Sequence, residues 1–585
     1  VIGAGPAGVS AALRAVDYNK TVCLIEKDRV GGADLWNGAL QSKTMWEMSK
    51  FISNVSGDAA KRIFEVDVKE YMVLDEDRMR KSLSDASEFR ERQMLHALKA
   101  AKVSMVFGQA MFANPKEISV HSNETGEYHS ITADYFVIAT GSSPREHPHF
   151  ATDKKRIVTS DEIMQQPIPK SMVIVGAGVI GCEFASIYAN LGQTKVHIID
   201  KAPRILPMED EDIALYVQSL LEKKGVVVHH EASLFDLQAW DEESSGGVQF
   251  TIQQNRTRKM ETFEVEKALI SIGRNSNYKG LGLENLKCRV QDGKLKVDDF
   301  QRCVPHNHIY AIGDATMDIA LVNMGETEAR MAIDHMYSYK QERKTVVDNL
   351  STIMFLDEEV AAVGLNEQQC QKGNISYMMA RYGYEFVSRA VAMGDTKGFI
   401  KIIVTNDRQK RVLGVRAVGP HASSIVELAS LAIHNHESAY ELAELMTAYP
   451  AITQGFQECL RMLLGRSILK PNVFPQLILK TWIPPHFERG RSYQNDVGAE
   501  RANEVRRAKE KIDTKRLIDE QVAEATKQAV AANKEKEATA AAAAANTPPA
   551  AAAPKSSQTA GCSLFSVSFL HLFLWFVSIF FVSSP

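Results

Sequence analysis

Val1-Ile2-Gly3-Ala4-Gly5-Pro6-Ala7-Gly8 opens the chain with two apolar residues and a G-x-G-x-x-G run, followed by a helix-like stretch. A second apolar strand, residues 21–25, ends at Glu26. Strand, glycines, helix, strand and terminal acid in this order predict a dinucleotide-binding α/β unit. Gly3 permits the tight turn, Gly5 the close approach of a pyrophosphate and Gly8 close helix packing, while Glu26 accepts a hydrogen bond from a ribose hydroxyl. The sequence starts on this strand and without Met, so part of the strand and any targeting signal are expected to precede it.

The design recurs further along. Met172-Val173-Ile174-Val175-Gly176-Ala177-Gly178-Val179-Ile180-Gly181 repeats strand and fingerprint, and a new strand, residues 195–199, ends at Asp200. Two dinucleotide folds therefore share one chain. Asp200 binds a free 2′-hydroxyl and repels a 2′-phosphate, which favours NAD(H); Lys201 and Arg204 nearby keep NADP(H) open. Two more apolar strands run into small residues, Tyr135-Phe136-Val137-Ile138-Ala139-Thr140-Gly141 and His308-Ile309-Tyr310-Ala311-Ile312-Gly313-Asp314.

Length and composition fit an enzyme of several domains, because 585 residues exceed what one hydrophobic core holds. The net charge of -4 and the lack of a basic tract argue against a nucleic-acid partner. Cys23, Cys182, Cys288, Cys303, Cys370, Cys459 and Cys562 include no C-x-x-C pair, so no metal site is expected and the thiols read as buried or incidental in a reducing compartment.

Taken in order, these stretches resemble the pyridine nucleotide-disulfide oxidoreductase family, of the dihydrolipoamide dehydrogenase type. The resemblance implies FAD at the first fingerprint, with Thr140, Gly141, Asp314 and Val322 among its contacts and Asp314 on the ribityl chain. It implies NAD(H) at the second, with Gly273 on the return strand Ile270-Ser271-Ile272-Gly273-Arg274; Ser276 stands where a Pro is usual. It also pairs Lys43, of Ser42-Lys43, with Glu183 beside the nicotinamide. By itself Glu183 reads as a carboxylate favoured by the helix dipole in the first turn of a helix. Phe355-Leu356-Asp357-Glu358-Glu359-Val360-Ala361-Ala362-Val363-Gly364, Gly398-Phe399-Ile400-Lys401 and Leu413-Gly414-Val415 resemble the family's dimerisation domain, which implies a homodimer whose interface domain reaches the partner's flavin.

The departures from the family bear on chemistry. In Gly31-Gly32-Ala33-Asp34-Leu35-Trp36-Asn37-Gly38-Ala39-Leu40-Gln41-Ser42-Lys43, the two positions where the family carries its redox cysteines are Asp34 and Ala39. The family's His-Pro and its acidic partner become Tyr449-Pro450 and Gln454. A thiolate is needed both to attack a disulfide and to relay electrons from the flavin, and Tyr is a poor base near neutrality. The FAD-dependent soluble pyridine nucleotide transhydrogenases resemble this chain in lacking the intact cysteine pair and in placing Tyr before Pro.

The expected fold is α/β. It comprises an FAD-binding domain in two parts (1–148 and 275–347), an NAD-binding domain (149–274) and an α+β dimerisation domain (348–469). A linker and charged helix (470–545), a low-complexity linker (546–563) and a transmembrane helix (564–582) complete it. Trp482-Ile483-Pro484-Pro485 reads as linker, and residues 499–545, rich in Ala, Glu, Lys and Arg without Gly or Pro, as a solvated helix. Residues 564–582 carry fifteen large apolar side chains in nineteen positions and no Asp, Glu, Lys or Arg. As a helix they would span roughly 28 Å, close to a bilayer core. A C-terminal tail anchor with a cytosolic catalytic body is expected, and Ala560-Gly561-Cys562-Ser563 offers a competing GPI-type signal.

The expected activity is hydride transfer from NADH to flavin and onward to a nicotinamide, a quinone or another small acceptor, with Lys43, Glu183 and Tyr449 as candidate catalytic residues. Two alternatives stand beside it: a catalytically silent FAD-binding membrane scaffold, and a dihydrolipoyl dehydrogenase working through other cysteines.

Overall fold

A computed structural model describes residues 1–57, 72–241, 246–317, 319–338 and 349–485. The charged helix, the low-complexity linker and the apolar stretch 564–582 lie outside these residues. Among the described residues no helix is long and apolar enough to cross a membrane.

Around Ile2 the chain builds the first parallel sheet. Ile2 bridges Ile25 on one side and Ile138 on the other, which joins strand Cys23–Glu26 to strand Phe136–Ile138. Strand Ser104–Asn114 continues the sheet beyond Cys23–Glu26, and Ile309–Ala311 beyond Phe136–Ile138, all in parallel register. Helix Pro6–Asp17 packs Val9, Ala11, Ala12 and Ala15 on this sheet, with Pro6 at its start, where a missing N–H costs no hydrogen bond. The second unit is a five-stranded parallel sheet in the order Val227–His229, Lys195–Ile199, Ser171–Val175, Lys267–Ile270, Ile157–Thr159. Its strands are nearly all apolar, as burial on both faces requires.

The third unit is a six-stranded antiparallel sheet covered by helices Ala422–His434 and Thr453–Leu463. Its edge corrects the sequence expectation for residues 470–485. Ile478–Trp482 is not linker but a strand, paired with Tyr377–Arg381. Trp482 stacks on Tyr377 with ring centroids 5.6 Å apart, and Leu477 just before the strand is buried. Tertiary packing here overrides the polar, Pro-rich surroundings from which the linker was inferred.

Helix Ala39–Ser56 ties the units together. Its interior has no Gly or Pro, and Ser42, Met45, Trp46 and Ser49 form a buried stripe at helical spacing. Met45 and Trp46 belong to one apolar cluster with Phe184 and Tyr188 of the nucleotide domain and Leu356 and Val360 of the antiparallel sheet.

A buried charge cluster makes a second tie. Lys401, on the antiparallel sheet and fully buried, puts its ammonium 2.8 Å from Asp210, 2.5 Å from Asp212 and 3.2 Å from Glu367. Burial opposes its charge, but Asp212 and Asp210 outweigh it and hold the lysine pKa above its ordinary value. All three carboxylates share this ammonium, while Lys480 also meets Glu367 at 2.8 Å and Arg381 lies 3.7 Å from Asp212. Lys401→Ala should therefore leave the buried Asp210 carboxylate without its cation and destabilise the fold by about 3–5 kcal/mol. The urea midpoint measures this, and an unchanged midpoint would show that the cluster is not a structural tie.

Candidate functional site

Each fingerprint glycine has a distinct physical task. Gly3 has φ +101°, and a Cβ there would sit 2.4 Å from the Ala139 carbonyl oxygen; a Cβ on Gly8 would sit 1.9 Å from that of Gly3. A Cβ on Gly5 would meet nothing within 4 Å, so the first turn of helix Pro6–Asp17 opens on free space where a pyrophosphate fits. The second fingerprint repeats this pattern: Gly176 has φ +108°, a Cβ on Gly181 would sit 2.0 Å from the Gly176 oxygen, and Gly178 faces open space.

Both terminal acids are fixed in the same way. Glu26 accepts from the Ala4 amide at 2.6 Å and the Asp28 amide at 2.9 Å. Asp200 accepts from the Ala177 amide at 2.6 Å and the Ala202 amide at 2.8 Å. Each carboxylate is thus locked to its own glycine loop with lone pairs left for ribose hydroxyls. A cleft of about 750 Å³ runs beside the second loop and is lined by Gly176, Gly178, Asp200, Lys201 and Gly273. Of the two basic residues that kept NADP(H) open, Lys201 lines this cleft. Arg204 instead donates to the carbonyls of Pro207 and Glu209 at 3.1 and 2.9 Å.

The later flavin-side residues meet the return strand from the nucleotide domain. Ser142 donates to Asp314 at 2.6 Å, and Arg274 donates to the hydroxyl and the carbonyl of Ser142 at 2.8 Å each. Thr140 donates to the Asn277 carbonyl at 2.7 Å. Gly141 takes φ +70° beside it. Ser276, in place of Pro, donates to the Ala315 carbonyl at 2.6 Å, so its hydroxyl closes the same junction. Val322 is the first residue of helix Val322–Tyr337 and is 40% exposed.

Lys43 and Glu183, 140 positions apart, are brought together. Lys43 Nζ lies 2.8 Å from Glu183 Oε2. Helix Val179–Leu191 places Glu183 in its second turn rather than the first, and the side chain is buried, so it serves as a paired carboxylate and not as a helix-dipole partner. Its other oxygen accepts from the Phe355 amide at 2.9 Å. The Phe355 ring lies 5.1 Å from Lys43 Nζ and meets Trp46 edge-on at 5.1 Å, while Trp46 Nε1 donates to the Leu356 carbonyl at 2.6 Å. Phe355 is a site residue that the sequence placed only in a dimerisation motif. The spacing of Lys43, Trp46 and Lys50 was the available signal, since all three lie on one helix face and contact residues 355–358 or Glu183.

The positions without thiols lie next to this pair in the chain. Asp34 sits in the first turn of helix Gly32–Trp36, and the chain breaks at Gly38 before Ala39 starts the following helix. Burial and the nearby Glu326 push the Asp34 carboxyl above its ordinary range, against Arg90 and Lys43. Tyr449 is not part of the Lys43 environment within one chain. It is 73% exposed, and its hydroxyl reaches Ser388 Oγ at 3.4 Å. Gln454 Oε1 is buried and, among the described residues, has no hydrogen-bond partner.

Known proteins share this fold. The chain is 30% identical to a dihydrolipoyl dehydrogenase of Geobacillus stearothermophilus over 80% of its own length and 96% of the relative's. It is 28% identical to that of Bacillus subtilis over 80% and 98%. LpdA from Mycobacterium tuberculosis has the same fold with a TM-score of 0.71 and 26% identity, over 79% of this chain and 98% of that one. Members of the family bind FAD and NAD(H), and the dimerisation domain supports a homodimer. Residues 1–334 match the pyridine nucleotide-disulphide oxidoreductase family and residues 350–460 its dimerisation domain, and the chain belongs to this family of FAD-dependent NAD(P)H oxidoreductases.

Proposed function

We propose that the protein takes hydride from NADH onto FAD and passes the electrons to an acceptor other than a disulfide: a second nicotinamide, a quinone or another small molecule. The carrying observation is that the Lys43–Glu183 pair is kept at 2.8 Å while Asp34 and Ala39 stand at the thiol positions. Bound FAD supplies a ring that accepts a hydride and gives the electrons up again. The protein's part in the first half-reaction is orientation and charge. Asp200 takes the adenosine ribose of NADH, and Lys43 holds a positive charge where electron density arrives. Glu183 and Phe355 keep that charge in place.

Dihydrolipoamide oxidation is the rival, because the relatives quoted above carry that name. It needs two thiols that alternate between dithiol and disulfide at the flavin. The loop that would carry them has neither, and burial pushes the thiols of Cys23 and Cys182 up, away from reactivity. For localisation, the apolar stretch 564–582 supports a tail anchor with the catalytic body on the cytosolic side, a placement that would bring lipid-soluble acceptors within reach.

Anaerobic NADH should bleach the bound flavin near about 450 nm without a long-wavelength thiolate charge-transfer band. A flavin that stays oxidised would overturn the proposed activity. Lys43→Ala should slow that bleaching about 100-fold while FAD content stays constant; equal rates would remove Lys43 from the half-reaction. A chain ending at residue 563 should partition into the aqueous phase where the full chain stays with membranes after alkaline extraction. Equal partitioning of the two would dismiss the tail anchor.

A further inference from the structure

Helix Gly32–Trp36 carries Asp34 and begins against the first glycine loop. The Gly31 amide donates to the Ala4 carbonyl at 2.8 Å, and a Cβ on Gly32 would sit 3.1 Å from Gly5 Cα. The next helix, Ala39–Ser56, brings Lys43 onto the Glu183 carboxylate. Residues 31–43 therefore run from the pyrophosphate loop to the pair beside the second fingerprint, the span that FAD has to bridge. Asp34 and Ala39 can form no covalent cross-link within this span, so noncovalent contacts must hold it.

A five-residue helix leaves carbonyls without donors of its own. The Leu35 carbonyl accepts from the Ser87 hydroxyl at 2.5 Å, the nearer of two carbonyls that this hydroxyl reaches, the other being Leu83 at 3.1 Å. Ser87 is fully buried on helix Glu76–Ala100 and accepts in turn from Gln41 Nε2 at 3.1 Å. Gln41 Oε1 accepts from Gln165 Nε2 at 3.1 Å. Gln165 closes the turn Ile163–Gln165, which follows strand Ile157–Thr159 of the nucleotide domain. Gln41 is 2% exposed, so both ends of its amide need partners, and both have one. It lies in the first turn of the helix that carries Lys43. Trp36 pins the near end of the loop separately: its Nε1 donates to the Val30 carbonyl at 3.0 Å, and the Arg29 guanidinium lies 3.3 Å over its ring.

We propose that Gln41 is a positioning residue for flavin reduction: by bridging Ser87 and Gln165 it holds the loop 31–43, and with it the Lys43 ammonium, in register with the nucleotide domain. The hydrogen-bonded chain Gln165–Gln41–Ser87–Leu35 is a noncovalent substitute for the cross-link that positions 34 and 39 cannot make. Being buried, the Gln41 side chain does not line the open cofactor space, so it acts through Lys43 and not on the reacting atoms. Hydride transfer is sensitive to such placement, because a shift of about 1 Å in a distant support can cost roughly 100-fold in rate. The inference rests on the NADH-to-flavin step of the proposed function and is independent of the acceptor.

Two readouts on the full-length FAD-bound protein test it. Hydrogen–deuterium exchange of the peptide spanning 31–43 should quicken about tenfold in Gln41→Leu, while strand Val412–Val418 exchanges as in the wild type. The anaerobic rate of flavin bleaching at saturating NADH should fall about tenfold, with the half-saturating NADH concentration unchanged. Gln165→Ala, at an exposed position, should shift both readouts in the same direction by a smaller factor and carries the test if Gln41→Leu does not fold. Unchanged exchange at 31–43, or faster exchange throughout the protein with the saturating rate intact, would overturn the role of Gln41. A wild-type flavin that NADH does not bleach would overturn the proposed function instead, and the exchange measurement would still decide whether Gln41 holds the loop.

Discussion

The carboxylate of Glu183 is the point on which the site's geometry depends. A buried carboxylate is costly unless its charge is paired and its lone pairs are used. Here Lys43 Nζ takes one oxygen at 2.8 Å and the Phe355 amide the other at 2.9 Å. Glu183 comes from the nucleotide-domain helix, Lys43 from the helix after the flavin fingerprint, and Phe355 from the first strand of the antiparallel sheet. Three units are therefore fixed through one side chain. The first half-reaction requires a nicotinamide and a flavin to meet in one orientation. A carboxylate that is satisfied only when all three units are docked makes that orientation part of the folded state.

Lys50 extends the same junction. It donates to the Asp357 carbonyl and reaches Glu358 Oε1 at 3.2 Å, and Lys224 of the nucleotide domain meets the Asp357 carboxylate. Glu358 is almost fully buried, and burial, against the pull of Lys50, pushes its carboxyl up to about 7. Desolvation thus outweighs pairing at Glu358, whereas Lys401 remains charged because three acids face it. The surrounding charges set the difference: Glu358 has Lys50 at 3.2 Å and Lys397 at 3.6 Å, but the like charges of Asp395 and Asp357 add to the cost of its burial.

How much of this could be read in the sequence follows from whether a residue's partner is local. The two glycine loops were legible because turn, helix start and terminal acid lie within one short βαβ unit, and the amides of Ala4 and Ala177 meet Glu26 and Asp200 as that unit implies. The Lys43–Glu183 contact came only through the family resemblance. Nothing local links positions 140 residues apart. Phe355 gave no signal of its own because its decisive contact is made by a backbone amide, which every residue but Pro has; only the helix face of Lys43, Trp46 and Lys50 pointed toward it. Strand Ile478–Trp482 was missed because an edge strand needs only one neighbour, and the neighbour that selects it, Tyr377–Arg381, lies about a hundred residues earlier.

The loss of thiols at the flavin has a physical consequence beyond the missing reaction. A cysteine at position 39 would be the polarisable group that draws electrons away from the ring, and Ala39 offers only a methyl group. Asp34, half-buried and with its carboxyl pushed up by burial, cannot accept electrons but can exchange a proton. Under the proposed function the loop would serve as a wall with one acidic group rather than as an electron relay. Under that proposal, electrons would leave the flavin directly to a molecule that reaches it, and size and shape of the approach would replace thiol reactivity as the basis of selection. Quinones and nicotinamides, flat molecules that take up two electrons together with a proton, would match such a proposed exit, whereas a disulfide, which must be attacked by a nucleophile, would not.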